Sequence, residues 1–359
     1  MVMKAGLIGC GRMGAFTRDD VRRFTPSFWF PLAHAEAIAA VPGIALTALC
    51  DANLEALQRA EKVYSEAKSF QDAHAMFEET KPDLVSIATR TPGRTELMEA
   101  AVDAAVRALH VEKPLCNTVL ELERLEKLLA KPDLFVTMGA VRRHLPVFQE
   151  AVALAHSGEL GALVEIRINM WSGTLYWAHP HSIDLALFAA GERRVESVQA
   201  RLGALQHPAN SPDVIENDPV LHAATIWFDD GLAAHIGRAP GSDFVLSCEQ
   251  GTITLQNNGD SVIVAQRVGE SPNFEYHQSS PTETSELGGT AIPIMQLLDC
   301  LNDHPAAQVS NAKLKCDILT GQRILFAIVD SHQRGGCPVP LGEVNRRLEI
   351  MGKTGALPA

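Results

Sequence analysis

Residues 1–140 alternate short apolar runs with segments of helical spacing. The runs at 4–8, 45–50, 84–88, 108–111 and 134–138 have strand length, and each is closed by a turn signal. Between them, residues 52–65, 95–106 and 119–129 repeat apolar positions about every three or four residues. Strands alternating with helices predict right-handed crossovers and a parallel sheet. Beyond residue 141 the texture changes. A helix over 146–156 leads to a strand over 161–172 with polar alternation, then to a helical patch over 180–190. Runs at 195–205, 221–228, 233–238, 243–249, 252–256 and 262–267 follow through short turns such as Asp229-Asp230-Gly231 and Asn257-Asn258-Gly259-Asp260, which predicts an antiparallel sheet. Residues 269–289, rich in Ser, Pro, Thr and Glu, predict an exposed loop. Helices over 293–302 and 313–331 and a short tail close the chain. The reading is an α/β Rossmann dinucleotide-binding domain over 1–141, followed by a mainly antiparallel, open-sheet α+β domain over 142–359.

Composition narrows the partners. The chain has 359 residues, 46% hydrophobic and 21% charged, enough apolar material for two ordinary globular cores. Lys and Arg number 31 against 43 Asp and Glu, a net charge of −12, with no basic block. That balance excludes the clustered positive surface a nucleic-acid partner needs. Apolar stretches such as 163–170 are broken by charge and fall short of the roughly 20 residues a membrane span requires. The opening Met1-Val2-Met3-Lys4 runs straight into a glycine loop, leaving no room for a signal peptide. Seven scattered cysteines without a C-x-x-C pair suggest neither a disulfide framework nor a zinc knuckle. A reduced, cytoplasmic protein is expected.

Gly9-Cys10-Gly11-Arg12-Met13-Gly14 fits G-x-G-x-x-G directly after an apolar strand. There the first glycine makes the turn, the second lets the backbone approach a pyrophosphate, and the third lets helix and strand pack closely. The phosphates are expected on the positive end of the following helix. Asp51 closes the second strand, where a carboxylate accepts hydrogen bonds from the adenosine ribose and repels a 2′-phosphate. The expected cofactor is therefore NAD rather than NADP. A cap for the helix starting at Ala52 is a second, compatible reading of Asp51. The spacing from Gly14 to Asp51 exceeds the roughly 20 residues of the usual fingerprint. An insertion over 15–33 accounts for it, with Phe24, Phe28, Trp29, Phe30 and the arginines 18, 22 and 23. Two readings stand: a flap over cofactor or substrate, or a contact with the second domain or another subunit.

Val111-Glu112-Lys113-Pro114-Leu115 ends a further strand. Together with the glycine loop, Ile87-Ala88-Thr89 and Gly158-Glu159-Leu160-Gly161, it resembles the Gfo/Idh/MocA oxidoreductase family. The resemblance covers nearly the whole chain and extends to Ser331-His332-Gln333-Arg334-Gly335-Gly336-Cys337-Pro338-Val339, which is similar to the family's closing helix and strand. It implies that Lys113 lies beside the nicotinamide and the reacting oxygen, and that the Lys113–Pro114 bond can be cis. It implies cofactor contacts from Gly9, Gly11, Arg12, Met13, Gly14, Asp51, Thr89, Arg90, Glu112 and Lys113. A homodimer or homotetramer paired through the sheet follows from the resemblance alone. The chemistry asks for such a lysine independently. Oxidising a secondary alcohol removes a proton from oxygen as hydride leaves carbon, so an ammonium or amine must hold that oxygen. A free lysine, with a pKa of about 10.4, serves at neutral pH only where burial or positive neighbours lower it.

The second segment of interest is Gly173-Thr174-Leu175-Tyr176-Trp177-Ala178-His179-Pro180-His181-Ser182-Ile183-Asp184. The resemblance implies Asp-x-x-x-His-x-x-Asp here, and His181 and Asp184 match the last two positions. Pro180 suits a first helical turn, which would set His181 near the positive helix end and disfavour imidazolium. Asp184 shares its face. Trp177 stands where the family commonly has aspartate, and His179 where a small residue is usual. Three alternatives follow: Lys113 and His181 suffice, His179 substitutes, or the chain binds cofactor without turnover. His-x-His without further ligands does not make a zinc site, so no metal is expected. Trp177, His179, Asp184 and Arg142 are the substrate-binding candidates, although Arg142-Arg143-His144 is also compatible with a helix-entry surface. Arg90, Arg94, His179 and His181 together would suit a sugar phosphate or uronate. The functional expectation is an NAD-dependent dehydrogenase or reductase acting on a secondary hydroxyl or ketone of a sugar, sugar phosphate or cyclitol. The alternatives are a redox-neutral glycosidase-type enzyme with bound NAD and a non-catalytic NAD-binding regulator.

Overall fold

A computed structural model describes residues 2–170, 173–269, 273–280 and 287–353. The chain divides into two compact units. The first comprises Met1–Cys116, Glu121–Leu145 and Ser285–Leu319; the second comprises Asn117–Leu120, Pro146–Thr284 and Thr320–Ala359.

In the first unit, β1 (Met3–Ile8), β2 (Ile44–Cys50), β3 (Lys68–Phe70), β4 (Leu84–Ile87), β5 (Ala108–Val111) and β6 (Phe135–Met138) form one sheet in the order β3-β2-β1-β4-β5-β6, every pair parallel. This is the Rossmann order, and it reverses between β1 and β4. Ligands in such sheets bind outside the carboxyl ends of the strands at that switch. The crossover helices are α1 (Arg12–Ala15), α2 (Asp19–Phe24), α3 (His34–Ala40), α4 (Leu54–Val63), α5 (Ala73–Thr80), α6 (Arg94–Asp103) and α7 (Val119–Leu129). The sequence pattern misses β3 and α5. Lys68-Ser69-Phe70 carries no apolar run of its own, and pairing with β2 makes it a strand.

In the second unit, α8 (Pro146–His156) precedes β7 (Leu163–Met170), and α9 (Leu175–Ala190) precedes β8 (Val195–Leu202). Then follow β9 (Val214–Asn217), β10 (Leu221–Phe228), β11 (Ala233–Gly237), β12 (Ser242–Cys248), β13 (Gly251–Gln256), β14 (Ser261–Arg267), β15 (Phe274–Ser279), β16 (Val339–Pro340) and β17 (Glu349–Lys353). A nine-stranded sheet runs β15-β14-β13-β12-β7-β11-β10-β8-β16, antiparallel at every pair except β7 with β11. Alternation along its strands buries one face, where Phe148 of α8 meets Phe244 of β12 with ring centroids 6.1 Å apart. The other face leaves Trp227 and Tyr276 exposed. The expected open, mainly antiparallel sheet is therefore present.

Three expectations need correcting. The loop expected over 269–289 contains β15, an edge strand with both faces exposed; residues 270–272 and 281–286 lie outside the described residues. Without a buried face it has no apolar alternation, and backbone pairing with β14 makes it a strand. The closing tail contains β16 and β17, the latter paired with β9. Residues 171 and 172, the end of the strand expected over 161–172, also lie outside the described residues. Third, α9 begins at Leu175 rather than at Pro180, so Pro180 stands inside the helix. The helix dipole acts within the first turn, so the argument that it keeps His181 neutral does not hold.

The chain leaves the first unit after Leu145, and α10 (Ala291–Leu301) returns to it. Ile294, Leu297 and Leu298 share a core layer with Ala5, Ile38 and Phe135. The last helix, α11 (Pro305–Gln333), begins in the first unit and ends in the second.

Candidate functional site

At the end of β1, Gly9 adopts φ +94°, and a Cβ there would lie 2.9 Å from the main chain of Ala88 and Thr89. A Cβ on Gly14 would lie 1.8 Å from the Gly9 carbonyl oxygen, whereas one on Gly11 would meet nothing within 4 Å. The first and third glycines are therefore forced by the protein's own backbone. The second leaves open space beside a bare main chain, the cradle a pyrophosphate requires. Arg12 is exposed and Met13 half-buried at its rim. The helix after the loop is a single turn, Arg12–Ala15, ended by extended Phe16. The expected helix dipole is thus short, and main-chain N–H groups carry the anion binding instead.

Asp51 closes β2 with both carboxylate oxygens engaged. Oδ2 accepts from the Cys10 N–H at 2.7 Å, and Oδ1 from the Asn53 N–H at 2.8 Å. The cap of α4 is Asn53, whose Oδ1 accepts from Glu55 and Ala56 N–H. Asp51 therefore ties the glycine loop to the end of β2 rather than capping the helix, leaving further lone pairs for ribose hydroxyls. Cys10 and Cys50 beside it are buried thiols, pushed up to about 12 by burial and then by the Asp51 charge.

At the end of β5, the Lys113–Pro114 bond is cis. Arg94 is 1% exposed. Its Nη1 donates to the carbonyls of Glu112 (2.6 Å) and Pro114, and its Nη2 to the carbonyl of Thr89. Arg94 therefore does not line a positive pocket as expected. It staples the ends of β4 and β5 from inside, and burial lowers its pKa to about 10. Arg90 is exposed and Thr89 half-buried. Glu112 is buried, with Oε2 accepting from the Lys113 N–H at 3.1 Å and Oε1 3.2 Å from Nε2 of His34. Burial pushes its carboxyl up, but the His34 hydrogen bond and the charges of His34, Lys113 and Arg94 outweigh this and hold it below the usual range. Lys113 itself is half-buried.

The insertion over 15–33 is built into the first unit. Thr17 Oγ1 donates to Glu36 at 2.6 Å, Arg22 pairs with Glu36 at 2.6 Å, and Thr290 donates its N–H to Pro31 O and its hydroxyl to Leu32 O. A Cβ on Gly288 would lie 2.4 Å from the Phe28 carbonyl oxygen. The Arg142 guanidinium carbon lies 4.9 Å from the Trp29 ring centroid, which ties that substrate candidate to the insertion. Arg143 and His144 belong to the core: Arg143 pairs with Asp317 at 2.9 Å, and burial followed by the Arg143 charge drives His144 down to about 3.

In the second unit, α9 is capped from a distance. The Asp218 carboxylate accepts from the N–H groups of Tyr176 (2.7 Å) and Trp177 (3.0 Å), while the Thr174 side chain makes no cap. Residues 177, 181 and 184 share one helical stripe, with Trp177 41% exposed, His181 half-buried and Asp184 buried. His179 points elsewhere. It is fully buried, with Nδ1 3.2 Å from Ser182 Oγ, and burial lowers its pKa to about 4. The helix thus groups Trp177, His181 and Asp184 but not His179.

A reversing parallel sheet, a glycine cradle and a carboxylate at the end of β2 define a dinucleotide-binding Rossmann unit. Residues 3–140 match the Gfo/Idh/MocA model, described as an oxidoreductase family with an NAD-binding Rossmann fold. Among relatives, the chain is 25% identical over 205 residues to a D-apiose dehydrogenase of Paraburkholderia graminis, covering 53% of this chain and 50% of that one. It is 24% identical over 167 residues to a myo-inositol 2-dehydrogenase of Thermotoga maritima, covering 46% and 45%. The chain spans about half the length of these curated relatives. In fold it is similar to an oxidoreductase from Agrobacterium radiobacter solved with NAD+, L-tartaric acid and magnesium (TM-score 0.68, 19% identity, 95% of this chain and 99% of that one).

Proposed function

We propose that the protein is an NAD-dependent dehydrogenase or reductase acting on a secondary hydroxyl or ketone of a sugar, sugar phosphate or cyclitol. The observation that carries the reading is the pinned Glu112-Lys113-Pro114 turn beside the NAD cradle, presenting one amine at the carboxyl end of β5. Dehydrogenase relatives acting on apiose and inositol support the substrate class. Gly9, Gly11 and Gly14 shape the pyrophosphate cradle, and Asp51 faces the adenosine ribose, favouring NAD over NADP by repelling a 2′-phosphate. Bound NAD supplies the hydride acceptor or donor. Lys113 holds the reacting oxygen and handles its proton, with His181 as the second proton-handling group and Asp184 orienting it. Trp177 supplies an apolar surface for a sugar face. The outward Trp227 and Tyr276 support a homo-oligomer formed through the open sheet.

The test is growth of reduced-nicotinamide absorbance when the protein meets NAD and a panel of polyols, cyclitols and sugar phosphates, abolished by Lys113→Ala. Trp177, in place of the family's acidic residue, favours a second reading as a non-catalytic NAD-binding regulator. NAD binding without turnover across the panel selects it.

A further inference from the structure

Three strands of the Rossmann sheet, apolar elsewhere, carry one polar residue each in the same register row. Ser86 of β4 pairs with His110 of β5, and His110 pairs with Thr137 of β6. All three are fully buried. Over this row lies His34, the first residue of α3, also fully buried. Its Nδ1 is 2.6 Å from Ser86 Oγ and its Nε2 is 3.2 Å from Glu112 Oε1. An ionised carboxylate can only accept, so Nε2 carries a proton toward Glu112, while Nδ1 shares its hydrogen bond with the Ser86 hydroxyl. The chain Ser86, His34, Glu112 ends at the Lys113 N–H, which donates to Glu112 Oε2 at 3.1 Å.

Space for this chain is built in. A Cβ on Gly139 would lie 2.6 Å from Glu112 Oε1 and 3.0 Å from its Cδ, so a larger residue there would push the carboxylate from this position. Arg94 holds the main-chain carbonyls on either side of Lys113. The charged and titratable groups facing Glu112 are His34 from α3, Arg94 from α6 and its neighbour Lys113. His110 lies behind His34 with ring centroids 4.7 Å apart, kept neutral by burial and then by His34 and His144. Neither Ser86 nor His34 is exposed, so neither touches substrate.

We propose that Ser86, His34 and Glu112 form a buried positioning relay that fixes the orientation and the charge surroundings of the Lys113 amine. The inference deepens the reading of Lys113 as the proton-handling group and rests on it. Its chemistry is electrostatic: Glu112 sets one buried negative charge against the lysine, and His34 keeps that charge in place.

The test needs no known substrate. The full-length protein with NAD is labelled with trace acetic anhydride across a pH series, and mass spectrometry of the Lys113 peptide gives the midpoint at which its amine becomes reactive. Glu112→Gln, which removes the anion and leaves Arg94, is expected to lower that midpoint by about one pH unit. His34→Phe is expected to lower it in the same direction. His34→Gln keeps an N–H donor and restores a midpoint near that of the unaltered protein. Ser86→Ala, which removes only a hydroxyl, gives a smaller downward shift and serves should His34→Phe not fold. An unchanged Lys113 midpoint in Glu112→Gln together with Ser86→Ala, with only the melting temperature moving, overturns the relay. Lys113→Ala in the turnover assay is the separate control. Persistent turnover there overturns the role of Lys113 while the labelling result still decides the relay.

Discussion

The ends of β1, β2, β4 and β5 and the stripe on α9 carry the same kind of task by opposite means. At the strand ends, function resides in the main chain. Gly9 and Gly14 are forced by contacts with backbone, Asp51 accepts two N–H groups, and Arg94 grips three carbonyls. On α9, the proposed substrate contacts are side chains standing on a regular helix, and Trp177 projects from it 41% exposed. Changing a residue in the first region disturbs backbone geometry, whereas changing exposed Trp177 on the helix leaves the backbone undisturbed. This accounts for a family-like cofactor region coexisting with a departure at position 177. Cofactor chemistry is shared across substrates, and specificity varies where the fold does not depend on the side chain.

The largest expected effect lies in the glycine loop. Gly14→Val places carbon atoms against the Gly9 carbonyl and is expected to abolish NAD binding and cost on the order of 3 kcal/mol of stability or more. Gly11→Ala, with open space around it, should melt as the unaltered protein does while binding NAD more weakly. Thermal melts and cofactor titration of the pair separate forced from functional glycine, and equal melting temperatures would remove the steric half of the comparison. Next, Lys113→Ala is expected to lower turnover by about 10²- to 10⁴-fold with NAD binding retained. Trp177→Phe, on the exposed stripe, is expected to redistribute kcat/KM among sugars while shifting stability by less than about 0.5 kcal/mol. A large loss of stability in Trp177→Phe would contradict the comparison.

Asp51→Ala removes a charged acceptor and is expected to weaken NAD by about 1.5–3 kcal/mol while narrowing its advantage over NADP. Fluorescence titration with both dinucleotides measures this. The smallest effect is in pH dependence. Unfolded, the His179 ring takes a proton near the ordinary histidine value of 6.5; in the folded helix burial lowers this to about 4. Between those values the unfolded state binds more protons, so stability falls as pH drops from about 6.5 to about 4, and this group contributes no further loss below. His179→Asn should flatten that part of a melting-temperature profile. His144, driven down to about 3, adds a parallel loss from the first unit that extends lower.

The parts of the site legible in the sequence are those made of neighbours along the chain. The glycine loop and Asp51 at a strand end announce themselves because a short local segment both forms the turn and carries the chemistry, and Glu112-Lys113-Pro114 does so through its resemblance to the family's motif. The remainder is built across long separations. The start of α9 is hidden because its cap, Asp218, lies 42 residues from Tyr176. His34 meets Ser86 across 52 residues and Glu112 across 78. A signal for that cluster does exist, since Ser86, His110 and Thr137 each interrupt an apolar strand at the same height. It becomes readable only when the register of the sheet is known.

Apolar periodicity and turn chemistry determined by themselves a parallel Rossmann unit, an antiparallel partner, and a cofactor loop with a lysine at a strand end. Only the tertiary structure decided that Arg94 is a buried staple rather than a pocket cation, that His181 stands beyond the first turn of its helix, and that Glu112 is held ionised by His34. The physical reason is that hydrophobic patterning and backbone conformation act through neighbouring residues. Burial, remote capping and the charge state of an interior carboxylate depend on which distant groups the fold brings within hydrogen-bond reach.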